Sequence, residues 1–130
     1  MLNKNLKWIS MDILNIKGTD ETPTVRLDRV AGIFEISGRS LPEDSVSFYS
    51  PVMDWITTYG KAPNTATEFA FKLDYFNTAS SKIILDILKM LAEIKGVTIL
   101  WYSLTDDEEV KEAGEEFSEQ VNIPFVFKNY

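Results

Sequence analysis

The chain has 130 residues, 45% of them hydrophobic and 12% aromatic, which is enough to bury one core without a disulfide or a structural metal. It contains no cysteine and no histidine, so thiolate nucleophiles, imidazole general bases and His/Cys zinc sites are excluded. A formal net charge of -7, with no Lys/Arg cluster to offset it, argues against nucleic acid or an anionic membrane surface as partner.

In chain order, Met1 to Lys7 are polar, and residues 1–10 read as a loose N-terminal extension of a single domain spanning 1–130. Leu14 and Ile16 start a short edge strand before Gly18-Thr19-Asp20, and Thr24 to Asp28 alternates with Val25 and Leu27 on one face. Arg29 to Gly32 then serves as a hairpin connection into a strand over Ile33 to Ser37, which Gly38 ends. In SLPEDSVSFYSPVMDWITTYG, the residues Phe48, Val52, Ile56 and Tyr59 recur at helical spacing, flanked by Tyr49, Met53 and Trp55. Pro42 and Asp44 favour a start near there, but Pro51 is disfavoured in a helix interior, which delays the regular part to about Phe48 to Ser50. Gly60 ends the helix and Ala62-Pro63-Asn64 is a loop.

From Thr67 to Tyr75 the period is two, with Phe69, Phe71, Leu73 and Tyr75 on one side and Glu68, Ala70, Lys72 and Asp74 on the other, as in a central strand. A helix over about Ser80 to Lys95 buries Ile83, Ile84, Ile87, Leu88, Leu91 and Ile94, while Lys82, Asp86, Lys89 and Glu93 trace the opposite face. Gly96 caps it, and Val97 to Ser103 is the next strand. Thr105-Asp106-Asp107-Glu108 matches a capping box that opens an acidic helix with Val110, Ala113, Phe117 and Val121 on one face. Pro124 stops that helix, and Ile123 to Lys128 forms a terminal strand. An early hairpin followed by crossovers through helices implies an α/β layered domain, a mixed sheet of about five strands with three helices.

The junction between the strand ending near Tyr75 and the following helix carries the chemistry. Asn77, Thr78, Ser80 and Ser81 all lie where the helix begins, and one of them must act as its N-cap. The other role open to Thr78 is phosphorylation, since the free N–H groups and positive dipole end of the helix suit a phosphate. If strand geometry persists as far as Thr78, Asp74 lies on the same face, so an added phosphate meets a charge already there and favours release of a partner. The carboxylates Asp106, Asp107, Glu108, Glu109, Glu112, Glu115 and Glu116 follow the solvent face of one helix, without a calcium-loop glycine or a Glu-x-x-His pair, so no metal site is read there. Glu43, Asp44 and Asp54 are an imaginable acid/base set, although helix-start preferences explain the first two. Neither GxGxxG nor GxxxxGK[ST] occurs, so no nucleotide cofactor is implied and any phosphate on Thr78 comes from another protein.

LPEDSVSFYSPVMDWI, LDYFNTASSKIILDIL, VTILWYSLTDDEEVKEAGEEF and IPFVF, in that order, resemble the SiaC family of bacterial regulatory phosphoproteins, from about Ile16 to Phe127. The resemblance implies a fold similar to the STAS domains of anti-sigma factor antagonists. It also implies a phosphothreonine in an Asn-Thr-x-Ser context, which maps onto Asn77-Thr78-Ala79-Ser80. The implied function is non-catalytic partner switching: the unphosphorylated protein binds and activates a diguanylate cyclase, and a dedicated protein kinase and a PP2C-type phosphatase set the phosphorylation state. The outputs would be cyclic di-GMP signalling, aggregation and biofilm behaviour. Anti-sigma antagonists carry Asp-Ser with a Gly soon after, whereas here Asn77-Thr78 is followed by no Gly until Gly96, which points away from a sigma-factor role.

The expected partner-binding surface comprises Asp74, Asn77, Thr78, Ser80, Ser81 and Lys82, with the neighbouring loop Pro42, Glu43, Asp44 and Ser45. No segment approaches the ~20 apolar residues of a membrane helix, and the N-terminus lacks the apolar run of a signal peptide, so a cytoplasmic protein is expected. The competing functions are a constitutive scaffold in which Thr78 only caps its helix, and a small carboxylate-dependent enzyme motivated by the acidic residues.

Overall fold

Residues 13–130 are described in a computed structural model, and the loose extension expected over residues 1–10 lies outside them. Strands β1 (Ile13–Ile16), β2 (Thr24–Asp28) and β3 (Ile33–Ser40) are followed by helix α1 (Ser45–Tyr59) and β4 (Thr67–Phe76). Helix α2 (Thr78–Ala92), β5 (Val97–Ser103), α3 (Glu108–Gln120) and β6 (Phe125–Asn129) complete the order. The strands form one sheet in sequence order, antiparallel from β1 to β3 and parallel from β3 to β6. The α/β class, the mixed sheet and the three helices agree with expectation. The strand count is six rather than about five, because the short segment at Ile13–Ile16 pairs fully with β2.

Register places Ile36 beside Phe71 and Phe71 beside Trp101, so one face of the sheet presents a continuous apolar row. All three helices pack on that face. Trp55 and Tyr59 of α1 set their rings against Phe34, Phe117 of α3 sets its ring edge-on to Trp101, and Ile84, Ile87, Leu88 and Leu91 of α2 join the same core. Burying side chains of this size stabilises the fold by roughly 1.5–3 kcal/mol each, which makes this face the main source of stability. The opposite face carries the Lys72–Glu35 salt bridge (3.0 Å) and the Lys72 ammonium over Tyr102.

Several boundaries differ from the pattern. Strand β3 runs through Gly38 to Ser40, because the glycine adopts φ 102° where the β3–β4 register shifts and the chain continues pairing beyond it. Helix α1 starts at Ser45, with the Asp44 carboxylate accepting from the Ser47 N–H, and Pro51 sits inside it. Pro51 and Ser47 are both exposed, so the Ser47 carbonyl that loses its helical donor is left to water. Helix α2 begins at Thr78 instead of Ser80, and after Ala92 the N–H groups of Glu93 and Ile94 turn to the carbonyls of Met90 and Leu91. The capping box expected from Thr105 is displaced: Asp107 caps α3 by accepting from the Val110 N–H. The last strand starts at Phe125, after Pro124.

The parallel pairing sets the stage for function. Each of β3, β4 and β5 leads from its carboxyl end directly into a loop and then a helix N-terminus. Pairing of Ser40 with Phe76 brings the loop after β3 and the start of α2 to the same end of the sheet.

Candidate functional site at the start of α2

The end of β4 departs from simple alternation. Gly38 pairs with Leu73 but Arg39 pairs with Tyr75, so Asp74 is an extra residue with no opposite partner, a β-bulge. The bulge reverses the phase of everything after it. Tyr75, expected beside Leu73, turns to the other face under the Arg39 guanidinium (5.3 Å), and Phe76 turns inward against Trp101 and Phe117. Strand geometry therefore ends at Phe76 with its phase inverted, and alternation does not place Asp74 and Thr78 on one face as the pattern suggested. Asp74 is exposed and accepts from the Tyr130 hydroxyl at 2.9 Å. Burial, reinforced by that carboxylate, pushes the Tyr130 hydroxyl up to about 12.

The four candidate caps divide their roles. Asn77 is extended (φ -85°, ψ 177°) and its Oδ1 accepts from the Ser80 N–H at 2.9 Å, so it is the N-cap. Its own N–H donates to the Ser40 carbonyl at 3.1 Å, and its carbonyl accepts the first helical bond from Ser81 at 2.9 Å. Thr78 is the first helical residue; it is exposed, and its hydroxyl bonds to nothing among the described residues. The N–H groups of Thr78 and Ala79 are likewise left without a protein partner, aimed outward at the positive end of the helix.

Ser80 is fully buried and belongs to the support of the site instead of its surface. Its hydroxyl donates to the Ser40 carbonyl (2.9 Å) and accepts from the Ser40 hydroxyl (2.8 Å), which lies 2.6 Å from the Tyr49 hydroxyl. Each hydroxyl has one proton, and that of Ser40 goes to Ser80, so Tyr49 donates to Ser40. This relay ties the ends of β3 and α1 to the first turn of α2. Burial pushes the Tyr49 hydroxyl up to about 12 against the opposing effect of the Ser40 bond.

Of the remaining expected contacts, Ser81 is half-buried and Lys82 exposed on α2, and Glu43 and Asp44 are exposed on the loop after β3. Pro42 and Ser45 are buried, so they shape the loop without presenting a surface; the Ser45 Oγ has no hydrogen-bond partner among the described residues. Asp44 is an ionised cap, since bonds from the Ser47 N–H and hydroxyl hold its carboxyl below the usual range. Ser40 and Tyr130 escaped the sequence pattern, and Tyr49 entered it only as a flank of the apolar stripe of α1. A signal for Ser40 existed: it keeps the even-numbered parity of Phe34 and Ile36, inward along β3. The acidic residues Glu108, Glu109, Glu112, Glu115 and Glu116 lie exposed along α3, and no group of three or more His, Cys, Asp or Glu side chains among the described residues is placed to hold a metal ion. No helix among them is long and apolar enough to cross a membrane.

Residues 16–130 match the model of one protein family, described as SiaC family regulatory phosphoprotein. The chain belongs to the SiaC family of regulatory phosphoproteins. A protein of Pseudomonas aeruginosa (strain UCBPP-PA14) is 34% identical over 122 residues, which span 91% of this chain and 97% of that relative. The crystal structure of apo-SiaC from Pseudomonas aeruginosa superposes with a TM-score of 0.81 at 33% identity, covering 89% of this chain and 98% of that one. SiaC in the crystal structure of the diguanylate cyclase SiaD in complex with its activator SiaC, from the same organism, superposes with a TM-score of 0.83 at 34% identity, covering 90% and 99%. Family membership makes this chain a regulatory protein, and the exposed acidic helix is a solvated face of it.

Proposed function

We propose that this chain is a cytoplasmic partner-switching regulator controlled by reversible phosphorylation of Thr78. Unphosphorylated, it binds and activates a diguanylate cyclase; a protein kinase adds the phosphate and a PP2C-type phosphatase removes it, so the phosphorylation state tunes cyclic di-GMP signalling and biofilm behaviour. The observation that carries this is the division of labour at the start of α2. Asn77 takes the cap and Ser80 is locked inward, so the Thr78 hydroxyl has no structural duty and stands exposed beside unpartnered N–H groups. The solved complex of a homologous SiaC with the cyclase it activates supports the class of client.

The physical consequence of modification is electrostatic. A phosphate adds about -1.5 to -2 charge. It arrives on a surface whose exposed groups include Glu43, Asp44 and Asp74. A client surface that fits the neutral threonine is then repelled and faces a more strongly hydrated group. The test is the intact mass of the protein purified from its host with phosphatases inhibited, followed by fragmentation. Phosphate on Thr78 is the expected result; an unmodified Thr78 under every growth condition overturns the switch and returns the protein to constitutive binding.

A further inference from the structure

Thr78 and Lys82 stand four residues apart at the start of α2, and side chains at that spacing share one face of a helix. Both are exposed, and Lys82 forms no ion pair among the described residues. The other charged groups at this end of the sheet are the carboxylates of Glu43, Asp44 and Asp74 and the Arg39 guanidinium, which lies over Tyr75 and donates to the Asp20 carbonyl, and the next lysine of the helix, Lys89, lies in its last turn. Lys82 also borders a shallow groove between α2 and α3 with Ser81, Phe117 and Glu116, the last being the carboxylate that faces it across the groove.

We propose that Lys82 is the counter-ion of the phosphate on Thr78, a role that rests on Thr78 being the modified residue. An anion placed one turn N-terminal to a cation is the favourable order for such a pair, and the phosphate itself sits at the positive end of the helix. The ammonium closes over the phosphate from one turn along, while the Thr78 and Ala79 N–H groups approach it from the helix end. The unmodified protein offers Lys82 to a carboxylate of its client; the phosphorylated protein occupies Lys82 internally. One modification thus adds an anion to the docking surface and withdraws a cation from it.

The test uses the full chain with phosphothreonine incorporated at Thr78 during translation, so no kinase is needed, and follows the second phosphate ionisation by phosphorus NMR. The midpoint is expected below that of the same chain unfolded in urea. Lys82→Gln should raise it by about half a pH unit, the scale of one solvent-exposed ion pair. Lys82→Arg should leave it in place, and Lys89→Gln, which removes the same net charge farther along the helix, should also leave it unmoved. Equal midpoints in wild type and Lys82→Gln, or an equal rise in Lys89→Gln, overturn the pairing. Because the phosphate is installed directly, that failure leaves the switch at Thr78 standing, whereas absence of phosphate from the host protein counts against the switch and not against the pairing.

Discussion

Removing the Ser80 hydroxyl should destabilise the protein more than removing the Tyr49 hydroxyl at the other end of the same buried relay. Three protons are shared along it: Tyr49 donates to Ser40, Ser40 to Ser80, and Ser80 to the Ser40 carbonyl. Tyr49→Phe deletes the first donor and leaves both remaining protons with acceptors, so the cost is that of one net hydrogen bond, below about 1 kcal/mol. Ser80→Ala deletes the acceptor of the Ser40 proton in a site where Ser40 and Ser80 are both fully buried. That stranded proton adds a desolvation penalty, for a total of about 2 kcal/mol. Ser40→Ala strands the Tyr49 proton in the same way and should fall near Ser80→Ala. Urea unfolding at neutral pH measures all three, with an unchanged slope confirming that only stability moved. A Tyr49→Phe loss equal to or greater than that of Ser80→Ala would refute the assigned proton order.

Further outcomes follow from the same geometry. Asn77→Ala should cost about 1 kcal/mol by removing the cap on Ser80 N–H, whereas Thr78→Ala should stay within about 0.5 kcal/mol of wild type; a larger loss for Thr78 in urea unfolding would make Thr78 the structural residue. Gly114→Ala should destabilise by about 1–3 kcal/mol despite its better helix propensity, because the added Cβ would lie 2.4 Å from the Trp101 indole, whose Nε1 is held by the Val110 carbonyl. A Gly114→Ala variant with wild-type thermal stability would contradict that packing. Tyr49 remains protonated to about 12 in the folded protein while the unfolded side chain ionises near 10. Its contribution is therefore complete below pH 10 and lost as pH rises from 10 to 12, by roughly 3 kcal/mol in all. Stability measured across that window should fall less steeply in Tyr49→Phe than in wild type, and identical slopes would refute the burial argument.

Hydrophobic period located the layers because each element buries one face: β5 falls at Val97–Ser103 as the alternation of Val97, Ile99 and Trp101 predicts, and the inward stripe of α2 is centred on the expected Ile84, Ile87, Leu88 and Leu91. Local pattern was blind where two answers satisfy the same rule. Asn77, Thr78 and Ser80 are all good caps, and only the pull of Ser80 into the core toward Ser40, forty residues away in sequence, leaves the cap to Asn77. Thr105 and Asp107 both qualify as caps for α3, and the tertiary position of Val110 against the core favours the later one. The bulge at Asp74 left no trace because Tyr75 and Phe76 are each acceptable on either face. Pro51 misled for a simpler reason: a helix tolerates the missing bond when the orphaned carbonyl faces water.

The central claim is that one side chain, Thr78, sets the affinity for a client. Its most direct test is the binding of a purified diguanylate cyclase partner from the same host to the unmodified chain and to the chain phosphorylated at Thr78, measured side by side by calorimetry. Tight binding of the unmodified form, retained in Thr78→Ala and weakened at least tenfold by the phosphate, is the predicted result. Equal affinity of the two phosphoforms would contradict the account.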